Sequence, residues 1–340
     1  MLDVASDEGR VIIAKKEVTI KELANDDKFD LFFKIEKTEK VEFRIHVTGI
    51  TALKLDYERV LTKYSQSTVC LRNEELEFSE EIFSKRGNGQ TDYHAFFKRF
   101  KWAYGILKYY LPNMSGNVLD IGCGTGNSVI AALLLGAHNV VGIDIDFDVF
   151  GHEFDINEFP DICARYGANP SKAIMIEADI FQTKICNEYF DHVLMIDSLE
   201  HLPSPGRFIQ YAFDVIKPGG CLLIETAPLF YSKTGAHLWG ALPDLEPWGH
   251  LIPNFDDKVK NLGVDDWHLD KYFGLNRITY GEIIALIKQS GFLIDYEREQ
   301  IISEEDKKLF QSIRERLDIG THNPKIVFEE SILVRAKKPN

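Results

Sequence analysis

Asn117-Val118-Leu119-Asp120-Ile121-Gly122-Cys123-Gly124-Thr125-Gly126 is an apolar strand that ends in an acid and runs into three glycines at alternate positions. Glycine has no Cβ, so the chain can turn sharply into a helix and let a ligand come against the backbone. In an open α/β sheet ligands lie outside the carboxyl ends of the strands, where the N–H groups opening the next helix favour an anionic group. The spacing separates two kinds of loop. A dinucleotide fingerprint reads Gly-x-Gly-x-x-Gly. Here the third glycine, Gly126, comes one residue early, and Asp120 stands two residues before Gly122. A carboxylate at the mouth of the loop repels a pyrophosphate and attracts a ligand carrying a sulfonium and an amino group.

At this point the sequence resembles the class I S-adenosylmethionine (SAM) dependent methyltransferases, whose first motif reads Asp-x-Gly-x-Gly-x-Gly. The later motifs that this resemblance implies appear in order. Val140-Val141-Gly142-Ile143-Asp144 resembles the second strand, with Asp144 placed to accept both ribose hydroxyls and Ile145 beside it. Ile174 to Ile180 resembles the third, with Asp179 matching the residue that bonds the adenine amino group and Ile180 a backbone contact to the ring. Phe190 to Asp197 resembles the fourth, whose end at Ile196 lies beside the methionine part of the cofactor. Lys217-Pro218-Gly219-Gly220 is the usual turn before a fifth strand, Cys221 to Thr226, and Phe292–Glu297 with Ser331–Ala336 supply an antiparallel pair at the sheet edge. The resemblance thus implies an α/β, Rossmann-like sheet of seven strands over residues 90–338. It implies SAM held by Asp120, Gly122, Cys123, Gly124, Gly126, Asp144, Ile145, Asp179, Ile180 and Ile196. Taken singly, each motif has a blander use: a glycine loop can be only a turn, and an acid at a strand end can be a helix cap.

Composition fits an enzyme with a large core: 340 residues, 45% hydrophobic, net charge −14. The apolar runs are short, which argues against a membrane span, and the acidic balance without a Lys/Arg run argues against nucleic acid as a partner. Five cysteines without metal-type spacing suit a reducing cytoplasm. Residues 1–88 read as a small β-rich accessory domain, with strands at Val11–Ile13, Val18–Lys21, Leu31–Ile35 and Val41–Val47. Residues 89–340 read as the methyltransferase domain. A helix over Ala95–Tyr110 precedes the first strand and offers Tyr93, His94 and Arg99 for a cofactor lid.

Residues 228–276 form an insertion rich in Trp and His, with Trp239, Trp248, Trp267, His237, His250 and His268. An aromatic stretch of this length without clear periodicity reads as a substrate lid, the alternatives being packing over the sheet edge or a homodimer contact. A hydroxyl acceptor needs a base, and His201, His237 and His250 are the candidates. No Asn-Pro-Pro-Tyr type sequence follows the fourth strand, which tilts the acceptor towards oxygen on a small molecule or glycan. Asp197-Ser198-Leu199-Glu200-His201 resembles the Glu-x-x-Glu-His metal sequence of the polyprenyl dihydroxybenzoate and small-RNA 2′-O-methyltransferases. Its first glutamate is here an aspartate, so a divalent ion stays open but is not the expectation. A SAM-binding regulator without turnover and an NAD-linked oxidoreductase are the competing readings.

Overall fold

The structure is a computed structural model that describes residues 2–5, 10–13, 16–19, 45–47 and 93–340, apart from 148–155, 184 and 321–322. Seven strands form one sheet: β5 (Asn117–Ile121), β6 (Asn139–Asp144), β7 (Ala173–Glu177), β8 (Phe190–Ile196), β9 (Ile216–Thr226), β10 (Leu293–Ile301) and β11 (Glu329–Lys337). Their order is β10-β11-β9-β8-β5-β6-β7. β5, β6 and β7 pair in parallel, and β11 runs antiparallel to both β9 and β10. This is the α/β, Rossmann-like sheet that the motif order implied. Two compact units divide the chain, Met1–Val193 and Leu194–Asn340.

In the first unit, β1 (Leu2–Ala5), β2 (Arg10–Ile13), β3 (Lys16–Thr19) and β4 (Ile45–Val47) form a four-stranded sheet in the order β3-β2-β1-β4. The strand expected at Leu31–Ile35 and the boundary at residue 88 lie outside the described residues. Helix α1 (Tyr93–Tyr110) buries Phe96, Phe97, Phe100, Ala103 and Leu107. Its Phe100 meets Tyr166 of α3 (Phe159–Tyr166) edge to face, with ring centroids 4.2 Å apart. Helix α2 (Asn127–Leu134) follows the glycine loop, and its first six residues are all buried. The strong apolar character of β5, β6 and α2 explains why they form the centre of this unit.

In the second unit, α4 (Pro205–Val215) and α7 (Tyr280–Gln289) carry apolar faces, and α7 opens with a capping box between Thr279 and Glu282. The Lys217-Pro218-Gly219-Gly220 signature does not stand as a turn outside the strand. It is the first part of β9, with the Gly219 N–H donating to the Lys338 carbonyl and the Lys338 N–H to Gly220. The 228–276 insertion contains α5 (Phe255–Lys258) and α6 (Asp266–Gly274) and builds a core of its own. Phe230, Leu238, Trp248, Leu251, Phe255 and Tyr272 pack with Phe310 of α8 (Glu304–Ile313) and with Val327.

Candidate active site

Of the residues expected to hold SAM, all but Ile196 lie in the first unit. Gly122, Gly124 and Gly126 all take positive φ, at 73°, 49° and 81°, a region that costs other residues strain. The N–H groups of Gly122 and Cys123 both donate to the Ile143 carbonyl, which ties the start of the loop to β6. At Gly126 a Cβ would sit 2.6 Å from Phe159 Cε2, so packing and dihedral both require glycine there. Gly142, which the motif reading passed over as a strand residue, has the same role. A Cβ on it would meet Val129, Sγ of Cys123 and Sδ of Met175 within 3.0 Å.

Asp120 departs from the expectation of a charge at the loop mouth. It is fully buried at the end of β5, and the Ser128 hydroxyl of α2 donates to its Oδ2. Burial pushes its carboxyl up to about 7, with the Ser128 bond opposing the rise and Asp144 adding to it. Its Oδ1 has no hydrogen-bond partner among the described residues, an orphaned acceptor suited to an ammonium or a water bound to one. Asp144 accepts from the Gly124 N–H at 2.7 Å on Oδ2 and from the Asp146 N–H at 3.3 Å on Oδ1. A carboxylate has roughly four acceptor sites, so a ribose diol can still be held. Ile145 next to it is 74% exposed, an apolar side chain that an adenine ring could cover. Asp179 accepts from Phe181 N–H at 2.8 Å in a tight turn, and Ile180 is buried behind it. These residues fit a SAM molecule.

The three candidate histidines lie in the second unit, which also holds the buried Ile196 at the end of β8. Asp197 follows with φ 54°, its N–H donating to the Glu225 carbonyl at 2.8 Å. A short 3-10 turn, Leu199–His201, then carries His201. Asn276, unremarked in the sequence, holds this turn from far along the chain. Its Nδ2 donates to the Leu199 carbonyl at 2.6 Å and to the Leu202 carbonyl at 2.8 Å, and its N–H donates to Glu200 at 2.9 Å. The turn places the His201 ring edge-on to His237, with centroids 5.2 Å apart. His237 Nε2 bonds the Pro228 carbonyl at 2.9 Å, which assigns the proton to Nε2 and leaves Nδ1 as the basic nitrogen. Burial lowers both imidazoles, His201 to about 3, so both are neutral at physiological pH. Trp239 flanks His237 at 5.2 Å and is 57% exposed.

The structure separates His250 from that pair in role. It is buried in the insertion core, with Nε2 bonded to the Phe230 carbonyl at 2.6 Å and its ring edge-on to Phe230. Burial takes it down to about 4. This is a core histidine that ties two loops together, the first of which follows β9. Trp248 is likewise fully buried, donating from Nε1 to Val327, so of the three insertion tryptophans only Trp239 and Trp267 are exposed.

Glu200 is buried and accepts the Thr226 hydroxyl on Oε2, and burial together with Asp197 raises its carboxyl well above the usual range. Glu225, also buried, is pushed up to about 9. Among the described residues no group of three His, Cys, Asp or Glu side chains could hold a metal ion. None of the described helices is long and apolar enough to cross a membrane.

A family model described as a methyltransferase domain matches residues 96–262. The ubiquinone biosynthesis O-methyltransferase of Hydrogenovibrio crunogenus is 30% identical over 193 residues, covering 56% of this chain and 67% of that enzyme. The mitochondrial ubiquinone biosynthesis O-methyltransferase of Dictyostelium discoideum is 28% identical over 187 residues, covering 52% of this chain and 54% of that one. A tRNA U34 carboxymethyltransferase of Alteromonas mediterranea is 31% identical over 130 residues, 38% of each chain. The match spans about half the length of the Dictyostelium relative, two thirds of the Hydrogenovibrio one and less than two fifths of the Alteromonas one. The glycine loop, the acids at the strand ends and these matches agree: the chain belongs to the class I SAM-dependent methyltransferases.

Proposed function

We propose that the protein transfers a methyl group from SAM to a hydroxyl of a small-molecule or glycan-type acceptor, with His237 as the base. The observation that carries this reading is the fixed tautomer of His237. The Pro228 carbonyl accepts a hydrogen bond from Nε2–H, burial keeps the ring neutral, and Nδ1 is left to accept a proton. SAM, when bound, supplies a methyl group on a positive sulfur that leaves as neutral S-adenosylhomocysteine. The acceptor oxygen bonds the methyl carbon as the sulfur–carbon bond breaks, and the hydroxyl proton passes to Nδ1 of His237. His201, neutral and edge-on, holds the His237 ring in place and excludes water from one side. Displacement of this kind asks the protein mainly to align its reactants.

On the donor side, Asp144 binds the ribose and Asp179 the adenine amino group, with the glycine loop against the rest of the cofactor. Residues 1–88 form an accessory domain, and the chain works in the cytoplasm. The test is incubation with labelled SAM and a metabolite extract, with the product identified. His237→Gln should lower turnover by about 10² to 10⁴ while S-adenosylhomocysteine affinity stays unchanged. Full turnover by that variant sinks the base assignment; tight cofactor binding without any labelled product sinks the enzymatic reading.

A further inference from the structure

Trp239 is the exposed aromatic side chain in direct contact with the histidine pair. Its ring centroid lies 5.2 Å from that of His237, the two rings tilted by 36°, and 57% of the residue is open to solvent. Its neighbour Leu238 is buried in the insertion core. The turn that carries both is closed by the N–H groups of Ala241 and Leu242, which donate to the Leu238 carbonyl at 3.0 and 2.7 Å. The indole is no part of that core and is held outward by a turn anchored beneath it. An exposed indole beside the proposed base is a surface on which a ring can lie.

A second imidazole borders the same turn. Asp265 caps α6: the His268 N–H donates to its Oδ1 at 3.0 Å, and His268 Nδ1 donates to its Oδ2 at 2.7 Å. A carboxylate only accepts, so Nδ1 carries the proton, and in the neutral ring Nε2 is left as an acceptor. Nε2 lies against Gly240, where a Cβ would come to 3.0 Å from it, so the glycine makes room for a partly exposed imidazole beside the turn. His237 and Gly240 are three residues apart, which puts their Cα atoms within about 11 Å of each other. The indole is thus flanked along the chain by two imidazoles, each leaving one nitrogen as an acceptor: Nδ1 of His237 and Nε2 of His268.

Two acceptors around one apolar surface suit a ring with more than one hydroxyl on its edge. A sugar ring has that form, with C–H groups on a face for the indole and hydroxyls round the rim. A flat arene is held best in a slot that is apolar on both faces, whereas this turn offers imidazoles, Gly240 and the exposed Asp265 beyond the indole. We infer that Trp239 is the platform that selects a pyranose-type sugar as the acceptor, with the reacting hydroxyl at His237 and a neighbouring hydroxyl donating to His268. The inference rests on the proposed O-methylation and names the substrate class of that site.

Saturation-transfer NMR on the full chain with S-adenosylhomocysteine present tests it, with methyl β-glucopyranoside, methyl β-galactopyranoside, methyl α-mannopyranoside and catechol as probes. At least one glycoside should bind at millimolar concentration, with the strongest transfer to the C–H protons of one ring face, and catechol should bind more weakly. Trp239→Ala should weaken that glycoside at least about tenfold, Trp239→Phe should restore part of the loss, and His268→Ala should weaken it about fivefold. All three variants should keep the thermal shift given by S-adenosylhomocysteine, which reads an intact fold. No glycoside binding, catechol binding tighter than every glycoside, or glycoside binding unmoved by either alanine overturns the inference. Labelled methyl product on a molecule without a sugar ring overturns it too and leaves the His237 reading standing. Glycoside binding that depends on Trp239, with no labelled product from any glycoside or from the extract, supports the platform and sinks the methyl transfer.

Discussion

Replacing Asn276 by alanine tests how the acceptor half is held together. Three side-chain hydrogen bonds disappear: Nδ2 to the carbonyls of Leu199 and Leu202, and Ile278 N–H to Oδ1 at 3.0 Å. At about 1 kcal/mol net each, the loss is about 2–3 kcal/mol. The Asn276 N–H to Glu200 bond survives, so the turn loosens without detaching. Urea unfolding should show the midpoint fall with an unchanged slope. Turnover should fall further than stability requires, because the turn fixes His201 against His237, while S-adenosylhomocysteine affinity stays as it was. Asn276→Asp keeps the acceptor for Ile278 but sets a carboxylate oxygen against two carbonyls, and should be worse than alanine. The competing account is that the turn holds itself through its own bonds, His201 N–H to Ser198 and Leu202 N–H to Leu199. Alanine within about 0.5 kcal/mol of the parent and with full turnover would establish that account and refute ours.

Glu225→Gln should change the pH dependence of stability. Burial raises the folded carboxyl from 4.5 to about 9, so the folded chain keeps a proton that the unfolded chain has lost, and stability falls as pH rises through that window. The slope is about 1.4 kcal/mol per pH unit, and glutamine should flatten it; a variant less stable than the parent near pH ~8.5 contradicts the assignment. Gly126→Ala should destabilise by about 1–2 kcal/mol from its φ of 81° and the Phe159 contact, and weaken S-adenosylhomocysteine binding, read as a smaller thermal shift; an undiminished shift contradicts the cradle. Asp144→Ala removes the Gly124 anchor and the ribose acceptors, so S-adenosylhomocysteine affinity should fall at least about tenfold. Unchanged affinity there means the ribose lies elsewhere.

The donor side was legible because its logic is local. A strand, a turn of glycines and an acid at the next strand end sit within about 25 residues, and strand periodicity places each acid without knowledge of anything distant. Whether the Asp120 carboxylate stands at the mouth or beneath the loop is less legible, because it depends on Ser128, the second residue of α2, whose hydroxyl donates to it. The acceptor side depends on contacts between residues far apart in the chain. Trp248 and Trp239 look alike in sequence, yet one is buried against Val327 and the other is exposed. Asn276 is an ordinary polar residue until it is seen bonded to Leu199. A polar residue just before an αL arginine and a capped helix was a faint signal at best.

The two halves also differ in how they reach the same backbone conformation. The donor loop uses glycine at three left-handed positions, where the backbone conformation costs little and where the absence of side chains leaves room for a ligand. Beside Gly219, Gly263, Gly291 and Gly320, the acceptor half puts Asp197, His237, Trp248, Asn254 and Arg277 in that region, these five with φ between 54° and 63°. Each such residue costs of order 1 kcal/mol or more and persists only where its surroundings over-determine it. The surroundings do so here: His237 is tied to Pro228, Trp248 to Val327, and Arg277 to Asp256 and Phe230. Glycine at these positions would relieve the strain and remove the imidazole and the guanidinium together. His237, the proposed base, is among these strained positions, so the acceptor half, and not the cofactor loop, should decide what the enzyme methylates.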